Sequence, residues 1–162
     1  VTVTTAIPPL KDLRDTVSGL IGKDVEVAPG ATAPSVGGDS GSLVALYVDD
    51  AMRSAAVVVF DLPLAARLGA AIGLVPPGGA DAAIEDGALS PVLRENASEI
   101  LNVLASVFNT DGAPHLRLYS VAGTAEELRP DVKAIAVKAA PREDITVEVP
   151  RYGPGVMSVV IA

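Results

Sequence analysis

Hydrophobic and polar positions between residues 90 and 109 recur at intervals of three and four. On a wheel turned at about 100° per residue, Leu93, Ala97, Ile100, Leu104, Val107 and Phe108 share one side. Glu95, Glu99, Asn102, Ser106 and Asn109 share the other. Ser90 suits the N-cap, Pro91 the first helical position, and "NTDGAP" the end. The pattern predicts the chain's longest helix over 90–109, lying on the surface with one face free.

Elsewhere the period changes. Leu10, Leu13, Val17, Leu20 and Ile21 keep helical spacing between Pro8-Pro9 and Gly22, which predicts a helix over 10–21. "DVEVA" (24–28) reads as a short strand and "PGATAPSVGGDSGS" (29–42) as a loop. Two apolar runs, "SLVALYV" and "SAAVVVF", flank "DDAMR", which predicts a hairpin with Asp49 and Asp50 at its tip. The second run is almost wholly apolar, as a central strand covered on both faces would be. Asp61 is placed to cap a helix running to about Leu74, with Pro63 in its first turn. "PPGGADAAIEDGAL" reads as a flexible stretch with room for a short helical turn. "HLRLYSV" (115–121) alternates like a strand. In "TAEELRPDVKAIAVKAA" the first half looks helical, while "KAIAV" has strand character. "DITVEV" and "VMSVVIA", joined through "PRYGPG", predict a closing hairpin. Strands in runs with helices inserted argue for an α+β fold: a largely antiparallel sheet with two or three helices packed on it. At 162 residues, with neither a repeat nor a long linker, the chain is expected to form one domain, 1–162.

Composition narrows the chemistry. Hydrophobic residues make up 49% of the chain but aromatics only 3%, so the core must be built from Ala, Val, Leu and Ile. A formal charge of -8 and a pI near 4.5 argue against nucleic acid and against an anionic membrane surface, and suit a partner offering Lys or Arg. With no Cys, disulfides, thiolate metal sites and a Cys nucleophile are excluded; with His115 the sole histidine, so is a multi-histidine zinc site within one chain. The apolar stretch "AAVVVFDLPLAARLGAAIGLV" is broken by Asp61, Pro63 and Arg67 and reads as strand then helix, not as a membrane span. The start, "VTVTTAIPPLKDLRD", lacks a basic end followed by an apolar run, so no signal peptide is expected and a cytoplasmic location is inferred.

Glu99 and Asn102 project side by side from the free face of the long helix. Every amphipathic helix has such a face, and Glu is a good helix former. Asn is less usual in a helix interior, where it costs several tenths of a kcal/mol relative to Ala. On pattern alone an ordinary solvated helix explains both residues.

"SEILNVLASVFN" also resembles the signature helix of the CheC/CheX/FliY family of chemotaxis phosphatases, whose core is Glu-x-x-Asn, here Glu99, Ile100 and Asn102. The upstream "SLVALYVDDAMRSAAVVVFDLPLAARLGAAI" is similar to the family's hairpin and following helix, and "ITVEVPRYGPGVMSVVIA" to its closing hairpin. The resemblance covers roughly residues 42–110 and 144–162 and implies the CheC/CheX-like fold. Ser106 stands where the family often has Gly, and neither Pro114 nor Pro130 falls where it often has Pro. Neither "LKDLRDTVSGLIG" nor "LPLAARLGAAIGL" carries a second Glu-x-x-Asn, which matches a single-site, CheX-like member.

The resemblance implies a substrate: the phosphorylated aspartate of a response-regulator receiver domain. Asn102 would orient the attacking water and Glu99 would pair with the receiver's Lys, with Glu95 and Ser106 beside them in the contact. No cofactor of the chain's own is implied, because the receiver carries the Mg²⁺. The alternatives are a non-catalytic adaptor of the same fold and a structural domain whose exposed sheet edge makes it a homodimer. Other motifs carry less. "GGDSGS" (37–42) resembles the nucleophile segment of trypsin-like proteases, but His115 follows it in the chain instead of preceding it, and a Gly/Ser loop explains it better. Asp49-Asp50 reads as a solvated turn, His115 as structural or exposed, and Glu85-Asp86 and Glu126-Glu127 as solvated charge.

Overall fold

The computed structural model describes residues 4–162; Val1–Val3, part of the stretch read for a leader, lie outside the described residues. The elements in chain order are α1 (Leu10–Ile21), β1 (Glu26–Pro29), β2 (Leu43–Val48), β3 (Ser54–Phe60), α2 (Leu62–Ile72), α3 (Pro77–Asp86) and α4 (Pro91–Leu104). A 3₁₀ turn (Ala105–Phe108), β4 (Arg117–Ala122), α5 (Pro130–Ala136), β5 (Arg142–Val149) and β6 (Gly153–Ile161) follow. All neighbouring strands pair antiparallel in one six-stranded sheet ordered β1-β5-β6-β3-β2-β4.

The fold is therefore α+β, as the alternation of patterns predicts, and β3 lies inside the sheet with both faces covered. On one face Ala45, Tyr47, Val58, Phe60, Ile145 and Val159 pack under Leu13 and Val17 of α1, Leu64 and Leu68 of α2, and Ile100, Leu101 and Leu104 of α4. On the other, Val44, Leu46, Val48, Val57 and Val59 pack against Val132 and Ala136 of α5. Burying such side chains is worth roughly 1.5–3 kcal/mol each, and it makes the continuous apolar runs of β2 and β3 necessary. Small residues bring the layers close. A Cβ on Gly69 would stand 2.6 Å from the Leu93 carbonyl oxygen, so α2 and α4 approach backbone to backbone at a point where only Gly fits.

Among the described residues five α-helices form where two or three were expected. The two extra ones come from the stretches whose period was weakest. "PGGADAAIED" makes α3, a ten-residue helix and not a short turn, because Ala80 and Ala83 seat against Ala66 and Ala70 of α2 and Leu93 of α4. "PDVKAIA" makes α5, so the strand character read in "KAIAV" is wrong: Val132 and Ala136 lie one helical turn apart and both reach the sheet. The ends of α2 and α4 follow the capping logic. Asp61 accepts from Leu64 N–H at 2.9 Å and Ser90 from Leu93 N–H at 3.3 Å.

Helix α2 ends in a Schellman turn. Val75 N–H bonds the Ala70 carbonyl at 2.8 Å and Leu74 N–H that of Ala71 at 3.4 Å. Leu74 fills the left-handed position with φ 56°, where Gly is the usual occupant. A left-handed conformation costs an L-residue with a side chain about 1–2 kcal/mol.

Candidate functional site

The long helix stops short of its predicted end. Regular α-helix closes at Leu104, and the Ala105 N–H turns back to the Asn102 carbonyl, opening a 3₁₀ turn. That change frees the Leu101 carbonyl from the helical ladder, and the buried Tyr47 hydroxyl of β2 donates to it at 2.5 Å. Burial pushes the Tyr47 phenol far above its ordinary pKa, so the group remains a donor. Its ring lies 5.4 Å from that of Phe108, tilted by 48°, which fixes the 3₁₀ turn to the sheet. The end of α4 carrying Asn102 is thus held from beneath by the core.

Above this support the buried side comes out as read: Leu93, Ala97, Ile100, Leu104, Val107 and Phe108 are all buried. Glu95, Glu99, Asn102 and Ser106 are all exposed and share the outer face. Neither the Glu99 nor the Asn102 side chain has a hydrogen-bond or ion-pair partner among the described residues. Three residues apart, they are separated by roughly 4.5 Å along the axis. Asn109 leaves the stripe. Its side-chain oxygen accepts from Leu116 N–H at 2.8 Å and its amide donates to the Leu116 carbonyl at 3.3 Å, clamping the turn before β4. Val92, not singled out from the sequence, begins the same stripe one turn before Glu95–Glu99 and is 58% exposed.

The flanks of α4 are tied down. Arg94 grips Glu127 through two bonds of 2.9 and 2.8 Å and also donates to the Val121 carbonyl. That guanidinium holds the Glu127 carboxyl down to about 2. Asn96 donates to the Gly69 carbonyl of α2 at 3.0 Å. What remains free on α4 is a narrow polar ridge with a carboxylate and a carboxamide at its middle.

A cleft of about 590 Å³ opens near the other end of α4, lined by Asp39, Asp86, Arg94 and Glu126, and contains neither Glu99 nor Asn102. Among the described residues no cluster of three or more His, Cys, Asp or Glu is arranged to hold a metal, and no helix is long and apolar enough to cross a membrane.

The other motifs resolve into structural roles. Asp49 is buried, not a solvated turn residue: it accepts from Ala51 N–H, Arg53 N–H and Arg53 Nε, all at 2.9 Å, and so shapes the β2–β3 hairpin. His115 stands 4.0 Å from Asp50 at that tip. Ser40 accepts from Ser42 N–H at 3.3 Å, and Ser42 donates to the Ser35 carbonyl at 2.7 Å, so "GGDSGS" is a self-bonded loop.

No family model and no curated protein matches the sequence. Solved structures do match in shape. A FliM–SpeE complex from H. pylori superposes with TM-score 0.63 at 11% identity, covering 93% of this chain and 80% of that one. FliY from Thermotoga maritima gives 0.58 at 17%, covering 92% and 82%. The CheX–CheY–BeF3–Mg²⁺ complex from Borrelia burgdorferi gives 0.55 at 12%, covering 94% of each chain. At such identities the likeness is one of fold: the chain has the fold of these structures, which a FliM middle domain from H. pylori and a CheC-like superfamily protein from Shewanella also match.

Proposed function

We propose that the chain is a CheX-like phosphatase that removes the phosphoryl group from the aspartate of a response-regulator receiver domain. The observation that carries this is the state of Glu99 and Asn102: adjacent, exposed and unpartnered on a helix locked from below. An acyl phosphate is already reactive. Its hydrolysis needs a water held in line with the breaking bond and compensation of charge on the phosphoryl oxygens. A carboxamide suits the first task, since it donates and accepts at once without titrating near neutrality. Asn102 therefore orients the water. The Glu99 carboxylate pairs with the receiver's Lys and sets the register of docking, a bond that strengthens once the contact excludes water. Glu95 and Ser106 lie along the same contact. Charge compensation comes from the Mg²⁺ and Lys of the receiver, which is consistent with a ridge bearing no cation.

A CheX relative has been crystallised with CheY, BeF3 and Mg²⁺, which supports a receiver as partner. The reading includes a cytoplasmic location, where such receivers act, and a homodimer formed through a free sheet edge, β1 or β4. Mass measurement in solution tests the latter.

The test is direct. Purified protein is mixed with phosphorylated receivers and phosphate loss is timed. Loss is expected to accelerate with the intact protein and to fall by about 10²-fold towards background for Asn102→Ala, with docking retained. An unchanged rate for Asn102→Ala would remove the catalytic assignment.

A second reading, a non-catalytic protein-binding module, is favoured by a different observation. FliM has been crystallised with SpeE and with FliG, and the TM-scores of those complexes, 0.63 and 0.55, are at least as high as that of the CheX complex, 0.55. That reading predicts receiver binding, or binding of another signalling protein, without any change in phosphate loss.

A further inference from the structure

Leu74 is 84% exposed, the most exposed large hydrophobic side chain among the described residues. It also occupies the one position of the α2 C-terminal turn that favours Gly, with φ 56°. Gly73 precedes it by one residue, so the sequence has Gly and Leu in the less comfortable order for this turn. The neighbouring Val75 does the packing, seated among Ala66, Ala70 and Leu93, while nothing in this chain's own core uses the Leu74 side chain. A strained backbone position that displays an apolar side chain to water is explained by what it meets outside the chain.

Its location indicates what that is. Gly73 lies against the side-chain amide of Asn96 on α4. Asn96 lies about 40° round the helix from Val92 and about 60° from Glu99, between α2 and the free ridge. Leu74, next in the chain to Gly73, thus stands on the α2 side of α4, and Val92, itself 58% exposed, begins the ridge that Asn96 borders. Both are exposed apolar side chains on the part of the surface that includes Glu95 and Glu99 of α4 and the end of α2.

We infer that Leu74 and Val92 form the apolar anchor of the receiver-docking surface, fixing affinity and partner choice while Asn102 does the chemistry. This rests on the receiver reading above and extends its footprint toward the first turn of α4. The occupant is the phosphorylated receiver, in a face where Lys stands beside apolar side chains: the cation meets Glu99 and Glu95, and the apolar patch covers Leu74 and Val92. Anchors of this kind gain most of their energy at the desolvated centre of a contact, with charged groups fixing register around them.

The experiment compares wild type, Asn102→Ala, Leu74→Gly, Leu74→Met and Val92→Ser for receiver dephosphorylation, receiver binding and thermal unfolding. Leu74→Gly relieves the left-handed strain, so its Tm is expected at or above that of wild type. Its KM for phosphorylated receiver is expected to rise about tenfold, with kcat changed by less than about twofold. Leu74→Met is expected to restore KM, and Val92→Ser to raise it. If Asn102→Ala abolishes turnover while Leu74→Gly keeps the wild-type KM, the anchor is wrong and the phosphatase reading stands. A Leu74→Gly variant with a lowered Tm assigns the side chain to the fold and overturns the anchor. If the intact protein neither binds nor dephosphorylates any receiver, both fall.

Discussion

Helices α1 and α4 lie side by side over the same face of the sheet, and each carries an acid and a small polar residue three apart: Asp15 and Ser18 on α1, Glu99 and Asn102 on α4. Only one pair is free. Asp15 accepts from Lys11 Nζ at 3.0 Å and from Arg14 Nη2 at 3.1 Å, bonds that hold its carboxyl below the usual range. Ser18 Oγ accepts from the Val25 N–H at 3.0 Å and so joins the helix to the segment that leads into β1. Short side chains bond locally and are consumed by the fold. The Glu99 and Asn102 side chains find nothing of this chain to hold. Spacing makes a pair; the absence of internal partners makes the pair available to another molecule.

That contrast can be broken in graded ways. The largest effect is expected from Asn102→Ala, about 10²-fold in receiver dephosphorylation, whereas Ser18→Ala leaves that rate unchanged. Leu74→Gly follows, with its tenfold KM change and unimpaired Tm. Tyr47→Phe strikes the support of α4 without touching its surface. It leaves the Leu101 carbonyl buried and unpaired, and denaturant titration is expected to show a loss of about 1–3 kcal/mol. In α1, Ser18→Ala unpairs the Val25 N–H, and the same titration is expected to show about 1 kcal/mol.

The smallest effect is expected at the flank of α4. The folded-state pKa of Glu127 is depressed to about 2 by its bonds to Arg94. Its contribution is therefore present above the ordinary Glu range near 4.5 and is lost as pH falls through about 2. Both partners are more than a third exposed, at 35% and 40% of the side chain, so solvent and salt screen the pair. Glu127→Gln is expected to lower Tm slightly at neutral pH, with the gap to wild type closing towards pH 2 and narrowing in high salt. A gap that persists at pH 2 would mean that the side chain acts by packing and not by charge.

Much of this was legible along the chain. The bounds of α1, the caps Asp61 and Ser90, the two hairpins and the interior place of β3 follow from patterns of a few residues, in which the turn chemistry and the period agree. The α3 and α5 stretches did not read so clearly. Their helical faces are short and Ala-rich, and they are stabilised by what they lie against: α2 and Leu93 for one, the second sheet face for the other. The change to 3₁₀ after Leu104 was equally hidden, since its compensating donor, Tyr47, is 54 residues upstream of Leu101.

A period of 3.6 is a property of neighbours, so the order of residues is enough to present Glu95, Glu99, Asn102 and Ser106 on one face of a long amphipathic helix. The tertiary structure alone decided which polar groups stay free. Arg94 is taken by Glu127, 33 residues away, Asn96 by Gly69, 27 away, and Asn109 by Leu116, while Glu99 and Asn102 meet no such partner. It also left Leu74 in water. A polar side chain is spent or kept according to the groups that folding brings within about 3 Å of it, and those groups come from distant parts of the chain.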